Sequence, residues 1–321
     1  MRLLTWLPGR LLGAAVVLIG ASVLIFTAVR LLPGDYAQIV LGPLASAQER
    51  EALRTEFGFD HTVGEQYLLW LGQAVTGNVG RSLASGEPVA GELAARLPVT
   101  ALLTAMAVVW TVVIGVPLGV LAGTRTGTAR STAAGRLVSS LGISVPDYVL
   151  AAIVVFALSS LPLGLSVGAV GSPAQDLGGT IVALLPPSLV LAVFAIAATA
   201  RATRDSVLNV LVEPHVSAAV ARGETRLFII THHVLRNAAV PVLTLTGTIT
   251  AMLLGGAVIV ESVFDISGVG SYLVQGLGRR DYPVIQTCVL LATTVFVLMS
   301  LIVDIATGLL DPRVAVSGRN R

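Results

Sequence analysis

Lysine is absent from this sequence; all 20 basic residues are arginine. A phosphate-binding loop needs a lysine after its glycines, and Schiff-base catalysis needs one too, so both are excluded in standard form. Charge of either sign is scarce, at 12% of 321 residues. A soluble domain carries about twice that share. One cysteine, Cys288, stands in an apolar run. It can form no intramolecular disulfide and reads as core or lipid-facing packing. No zinc or iron ligand cluster and no Ser-His-Asp order is visible. His232 and His233 are adjacent, so on a helix they point to different sides, while His61 stands alone.

What the chain does have is apolar length. Hydrophobic residues make up 55% of it, and the mean hydropathy is +0.87. That surface is too large for one globular core, so lipid must be part of the solvent. Uncharged stretches mark the crossings, since about 20 apolar residues span a bilayer. They run over Leu11–Val29, Leu97–Thr124, Leu177–Ala200, Asn237–Val260 and Tyr282–Val303, with Leu137–Ser160 carrying only Asp147. The expected fold is all-α, with a first span ending near residue 30 and others at about 98–122, 137–160, 179–200, 238–260 and 283–308. The first run is too long for a signal peptide and has no small-x-small cleavage site after it. It is read as a retained helix.

Arginine placement sets the expected orientation. With both termini cytoplasmic, thirteen arginines fall inside and seven outside. The short loop Gly123–Arg136 holds three arginines and no acid. It is the cleanest indicator.

Two polar excursions break the apolar pattern. The outer one, 31–97, opens with the turn signal Leu31-Leu32-Pro33-Gly34-Asp35. Short helices are expected over Ala47–Phe57 and Glu65–Val75, with Tyr67 and Trp70 suited to a membrane interface. A turn follows over Gly77–Gly80, and Pro88 then starts a helix. Whether this outer segment touches substrate or only connects is open. The inner excursion, 201–237, is more informative. Pro214 starts a short helix with Glu213 at its positive end. Ala218 and Ala219 give it small side chains, and Gly223 ends it. A second helix is expected near Thr225, with Leu227, Ile230 and Val234 as its apolar stripe. A short exposed helix between two spans can serve as a docking point for a cytoplasmic partner, or simply as a connection.

At this loop the chain resembles a permease of ATP-binding-cassette importers. Ala219-Val220-Ala221-Arg222-Gly223, then His233-Val234-Leu235-Arg236-Asn237-Ala238 and Pro241, is similar to the loop of the dipeptide/oligopeptide/nickel permease family. The resemblance covers nearly the whole chain. Arg10-Leu11-Leu12 through Leu32-Pro33-Gly34-Asp35 looks like that family's first subunit type. Gln66-Tyr67, Arg96-Leu97-Pro98, Pro117-Leu118-Gly119, Ser144-Val145-Pro146, Leu185-Pro186-Pro187-Ser188, Asp281-Tyr282-Pro283 and Leu310-Asp311-Pro312-Arg313 fit the same order. The resemblance implies a type I importer permease in a bacterial cytoplasmic membrane, paired with a second permease. Two ATPase subunits, holding ATP and Mg, would bind below. An external binding protein would deliver a peptide, or alternatively nickel or a metal chelate. This chain would hold no cofactor and no catalytic residue. Its coupling residues would be Glu213, Pro214, His215, Ala218, Ala219, Arg222, Gly223 and Glu224. Two departures stand out. Ser217-Ala218-Ala219 lies near the place where many importers have a glutamate followed by two alanines. Pro214-His215 stands where this family often has an Asp-Tyr pair.

Charge inside the spans is the remaining signal. Asp147, after Pro146, is expected near mid-membrane, where a carboxylate is costly and faces the bundle interior or water. With Ser144 and Glu261 it is a candidate for the translocation pathway, though a structural partner fits Asp147 as well. Asp304 is expected to bond an arginine at the inner interface. A stand-alone secondary transporter would need inverted repeats and charged ion sites, and no such repeat is visible.

Overall fold

A computed structural model describes residues 2–31, 46–48, 61–124, 144–161, 168 and 170–310. Among them every regular element is helical, apart from one isolated bridge between Arg81 and Pro88. Helix α1 covers Arg2–Arg30 and α2 covers Val63–Val75. Helix α3 runs Val89–Thr124, through a π-helical stretch at Thr111–Gly115. Helices α4 (Asp147–Ser160), α5 (Leu177–Leu211) and α6 (Pro214–Ala221) follow. A turn at Arg226–Phe228 and a π-helical stretch at Ile229–Val234 lead into α7, Leu235–Val263. Then come α8 (Val269–Arg279) and α9 (Tyr282–Leu310).

Five of these helices are long and apolar enough to cross a membrane: Pro8–Arg30, Val89–Thr124, Leu177–Leu211, Pro241–Val263 and Tyr282–Gly308. They match five of the expected spans. The sixth is represented by α4, a shorter apolar helix; residues 137–143 of that expected span lie outside the described residues. So do most of the helix expected at Ala47–Phe57, the loop 125–136 and the segment after residue 310.

Two helices overshoot the bilayer. At 1.5 Å per residue, α3 and α5 are each roughly 50 Å long against a hydrocarbon core of roughly 30 Å. Helix α3 begins at Val89, with Pro88 as its N-cap, one residue later than the sequence expects. Helix α5 runs on past Ala200 to Leu211. The expected excursion therefore starts as a continuation of the span, because Arg201, Arg204 and Asp205 break the apolar run without breaking the helix.

Helix α5 is the centre of the bundle and packs on α3, α4 and α7. Leu184, Leu191, Ala192 and Ala195 are buried there with Leu103, Ala107, Leu253 and Val260. The contact with α3 depends on small residues. A Cβ added at Gly115, Gly119 or Gly123 would press on α5, meeting Thr199, Thr203 and Val207 respectively. That four-residue spacing forms one ridge along α3 and lets the backbones approach closely. On the periphery α1 packs along α9. Arg10 on α1 pairs with Asp304 on α9 at 2.5 Å, which bears out the expected arginine partner. At the other end of α1, Phe26 meets Tyr67 and Trp70 of α2, and the Ser22 and Tyr67 hydroxyls lie 2.8 Å apart. Thr62 and Glu65 cap α2 reciprocally.

Candidate coupling surface and polar sites

The α6 end of the bundle carries the exposed short helix. Glu213 is its N-cap and Pro214 its first residue; that proline loses no hydrogen bond, since first-turn N–H groups have none within the helix. One face is buried. Val216 and Ala219 pack with Val207, Val210, Ile229 and Val234. The opposite face leaves Glu213, Pro214, Ser217, Ala218 and Ala221 exposed, with Val220 60% exposed. The two alanines thus do different things: Ala219 is fully buried in the core contact, and Ala218 faces solvent. Gly223 closes the helix with φ +79°, a left-handed conformation that side chains disfavour. Among the described residues nothing lies within 4 Å of where its Cβ would be, so the demand for glycine there is conformational.

A polar network joins this helix to the start of α7. The Glu224 carboxylate accepts from Arg222 Nε at 2.9 Å and Nη2 at 2.6 Å, and lies 2.9 Å from His233 Nε2. Donation from Arg222 outweighs the opposing desolvation and, with His233, holds the Glu224 carboxyl below the usual carboxylate range. His215 Nδ1 lies 3.1 Å from Glu213, and its Nε2 lies 3.2 Å from Asn237 Nδ2. Arg226 donates to the Thr124 carbonyl at the end of α3, satisfying a terminal helix acceptor. Thr225 caps the following turn. The apolar stripe there differs from the expected one. Ile229 and Val234 are buried, while Leu227 is 73% exposed. The π-helical bonding over Ile229–Val234 brings residues five apart onto one side, so a count at α-helical spacing keeps Val234 but takes Leu227 and Ile230 in place of Ile229. His232 stacks on Phe228 at 4.1 Å between centroids, and His233 meets the same ring edge-on at 5.9 Å.

The pathway candidates sit elsewhere. Asp147 is the first residue of α4, with Pro146 as N-cap, and its carboxylate lies 3.7 Å from where a Cβ on Gly256 of α7 would be. Ser144 is exposed just before it. Glu261 is fully buried near the end of α7. Its carboxylate accepts from Thr100 Oγ1 at 2.7 Å and from the amides of Gly270 at 2.7 Å and Ser271 at 3.1 Å. It satisfies the first-turn amides of α8 and complements that helix's positive end. Val269 N in turn donates to Thr100 Oγ1 at 2.9 Å. A second buried carboxylate, Asp281, accepts from Ser82 Oγ at 2.5 Å and from the amides of Leu83 and Ala84. It ties the segment before α3 to the start of α9.

This arrangement has parallels. The pattern described as binding-protein-dependent transport system inner membrane component matches residues 115–316, and its N-terminal companion matches 3–104. The chain belongs to that family. It is 36% identical over 305 residues, 95% of this chain and 97% of the relative, to a probable peptide ABC transporter permease protein, y4tP, of Sinorhizobium fredii. It is 35% identical over 312 residues, 97% and 99% of the two chains, to the glutathione transport system permease protein GsiC of Escherichia coli K12. Among solved structures, inward facing conformations of the MetNI methionine ABC transporter share the fold, with TM-score 0.54 at 19% identity. That likeness covers 70% of this chain and 99% of the other. The protein is thus a permease subunit of a binding-protein-dependent transporter, and not a catalytic one.

Sequence reasoning passed over α8 in this permease. The segment is short and rich in glycine, so it does not register as a span. A signal was present: Val269, Tyr272, Leu273 and Gly276 follow helical spacing, and all but the partly buried Leu273 are buried. The role of Asp281 was also missed, because its donors lie about 200 positions away in the chain.

Proposed function

We propose that this permease forms half of the translocation pathway of an ATP-driven importer for peptides, and that α6 is the helix through which ATPase subunits drive it. The observation that carries the coupling role is α6 itself. A helix with one exposed face is seated at the end of α5, the 35-residue central helix, and linked to α7 by hydrogen bonds. Force applied there reaches two spans at once. Glu213, Pro214, His215, Ala218, Arg222 and Gly223 shape the exposed side and its ends, while Ala219 and Glu224 anchor it. In this reading the α6 end faces the cytoplasm, with both termini, and the α8 end faces outward in a bacterial cytoplasmic membrane. A second, homologous permease completes the pathway. Two ATPases hold ATP and Mg, and an external binding protein delivers substrate. The names of the relatives support a peptide substrate class. Asp147 and Ser144 border the pathway, and Glu261 serves it by fixing α8.

The test is gentle purification of the tagged chain from its native membrane, with mass spectrometry of co-purifying subunits, then reconstitution with the recovered binding protein. The expected result is a second permease, ATPases and ATP-dependent uptake of a labelled peptide. A chain recovered alone that moves solute without ATP overturns the reading.

A further inference from the structure

Helix α6 shares apolar packing with both neighbouring spans, and oriented polar bonds are added on the α7 side. Its Val216 and Ala219 join one buried cluster with Val207 and Val210 of α5 and with Ile229, Val234 and Ala238 of the α7 side. Apolar contact of this kind is non-directional, so by itself it fixes no orientation. Toward α7 polar contacts supply one. Glu224 receives Arg222, at the C-cap of α6, on one oxygen and meets His233 with the other. His233 lies in the π-helical lead-in to α7. Asn237, in the first turn of α7, donates to the His233 carbonyl at 2.9 Å and approaches His215 of α6 at 3.2 Å. With its proton on Nδ1, His215 accepts from Asn237 at Nε2 and donates to Glu213, 3.1 Å away. Both ends of α6 are therefore tied to the same stretch of α7. The His215 and His233 rings lie 6.1 Å apart, so the two links run side by side and resist rotation as well as separation.

We infer that Glu224, His233, His215 and Asn237 form a strut that carries displacement of α6 into α7. These are positioning residues. This rests on α6 being the coupling helix. The strut selects α7 as the first span to move when the ATPases close, a rigid-body transmission of an interface shift.

The experiment follows both ends of the lever in the full transporter, purified with its ATPases in lipid nanodiscs. One pair of spin labels, at Leu12→Cys and Ser217→Cys, reports α6 against α1 at the near end. A second pair, at Thr27→Cys and Ser262→Cys, reports α7 against α1 at the far end. The native Cys288 is buried and stays unlabelled. Distances are measured by double electron–electron resonance without nucleotide and after trapping with ATP and vanadate. In the otherwise native chain both pairs should shift on trapping. In Glu224→Gln the near pair should still shift and the far pair should lose its shift. The exchange Glu224→His with His233→Glu should restore it, which a merely destabilised fold would not show. A far-pair shift that survives Glu224→Gln and also Asn237→Ala overturns the strut and leaves the coupling helix standing. A near pair that never shifts in the native chain overturns the coupling role of α6, and the strut with it.

Discussion

The two ends of the bundle are fastened by opposite means. At the α8 end, buried carboxylates are held by backbone amides: Glu261 by Gly270 and Ser271, and Asp281 by Leu83 and Ala84. At the α6 end, side chains hold other side chains near solvent, as in Arg222, Glu224 and His233. A buried carboxylate that loses its donors is left with a large desolvation cost, so the first kind of fastening is all or nothing. The second kind orients its partners while adding little to overall stability. The α8 end is built as a fixed frame and the α6 end as a joint.

Glu261→Ala is the sharpest test of the frame. It orphans the Thr100 hydroxyl and two α8 amides, each costing on the order of 1–3 kcal/mol when buried. The expected outcome is the largest fall in thermal stability of any change discussed, read by the melting of purified protein, with a matching loss at the membrane. A melting temperature near that of the native chain would mean that the end is no frame. Asp281→Asn comes next. One carboxylate oxygen becomes an amide that cannot accept, so about one of its three bonds is lost, for about 1–2 kcal/mol. The expected readout is a smaller melting shift, with faster proteolysis at residues 81–88.

Gly223→Val separates the ends in the other direction. The left-handed φ costs a branched residue about 1–2 kcal/mol, yet no described residue crowds the site. Membrane level should stay close to normal while uptake falls steeply, and Gly223→Asn should retain more, since asparagine tolerates that conformation. Equal uptake in all three forms would remove the joint from the comparison.

The smallest effect concerns Tyr272 on α8. Burial, followed by the Asp281 and Glu92 carboxylates, pushes its phenol up to about 12. The folded form therefore keeps a proton that the unfolded chain gives up near pH 10. Its stabilising contribution is complete below about pH 10 and is lost as pH rises toward 12. Tyr272→Phe should flatten the alkaline end of a melting-temperature profile and leave neutral pH nearly unchanged, as the buried hydroxyl has no hydrogen-bond partner among the described residues.

The frame and the joint were unequally legible in the sequence. Spans read well because lipid imposes length, and Pro88, Pro214 and Gly223 marked helix ends through backbone chemistry that is local. An arginine partner for Asp304 could be expected because Asp304 lies near a span end, but the choice of Arg10 comes from the packing of α1 on α9. The frame was nearly invisible. Thr100, Glu261 and Gly270 meet only after three helices have packed, and no spacing in the chain encodes that. The joint was half visible. His215, Arg222 and Glu224 were candidates, yet their partners His233 and Asn237 depend on a change of helical pitch that α-helical counting does not register. Ala218 and Ala219 could not be told apart without knowing which side α5 occupies.

The π-helical turn at Ile229–Val234 has a mechanical consequence. It winds in one residue more than an α-helix would use over the same height. Let into α register, that residue would extend the run by about 1.5 Å and swing whatever follows by about 100°. The permease thus keeps a short reserve of slack between α6 and α7, enough to let a helix turn without stretching the chain that holds it.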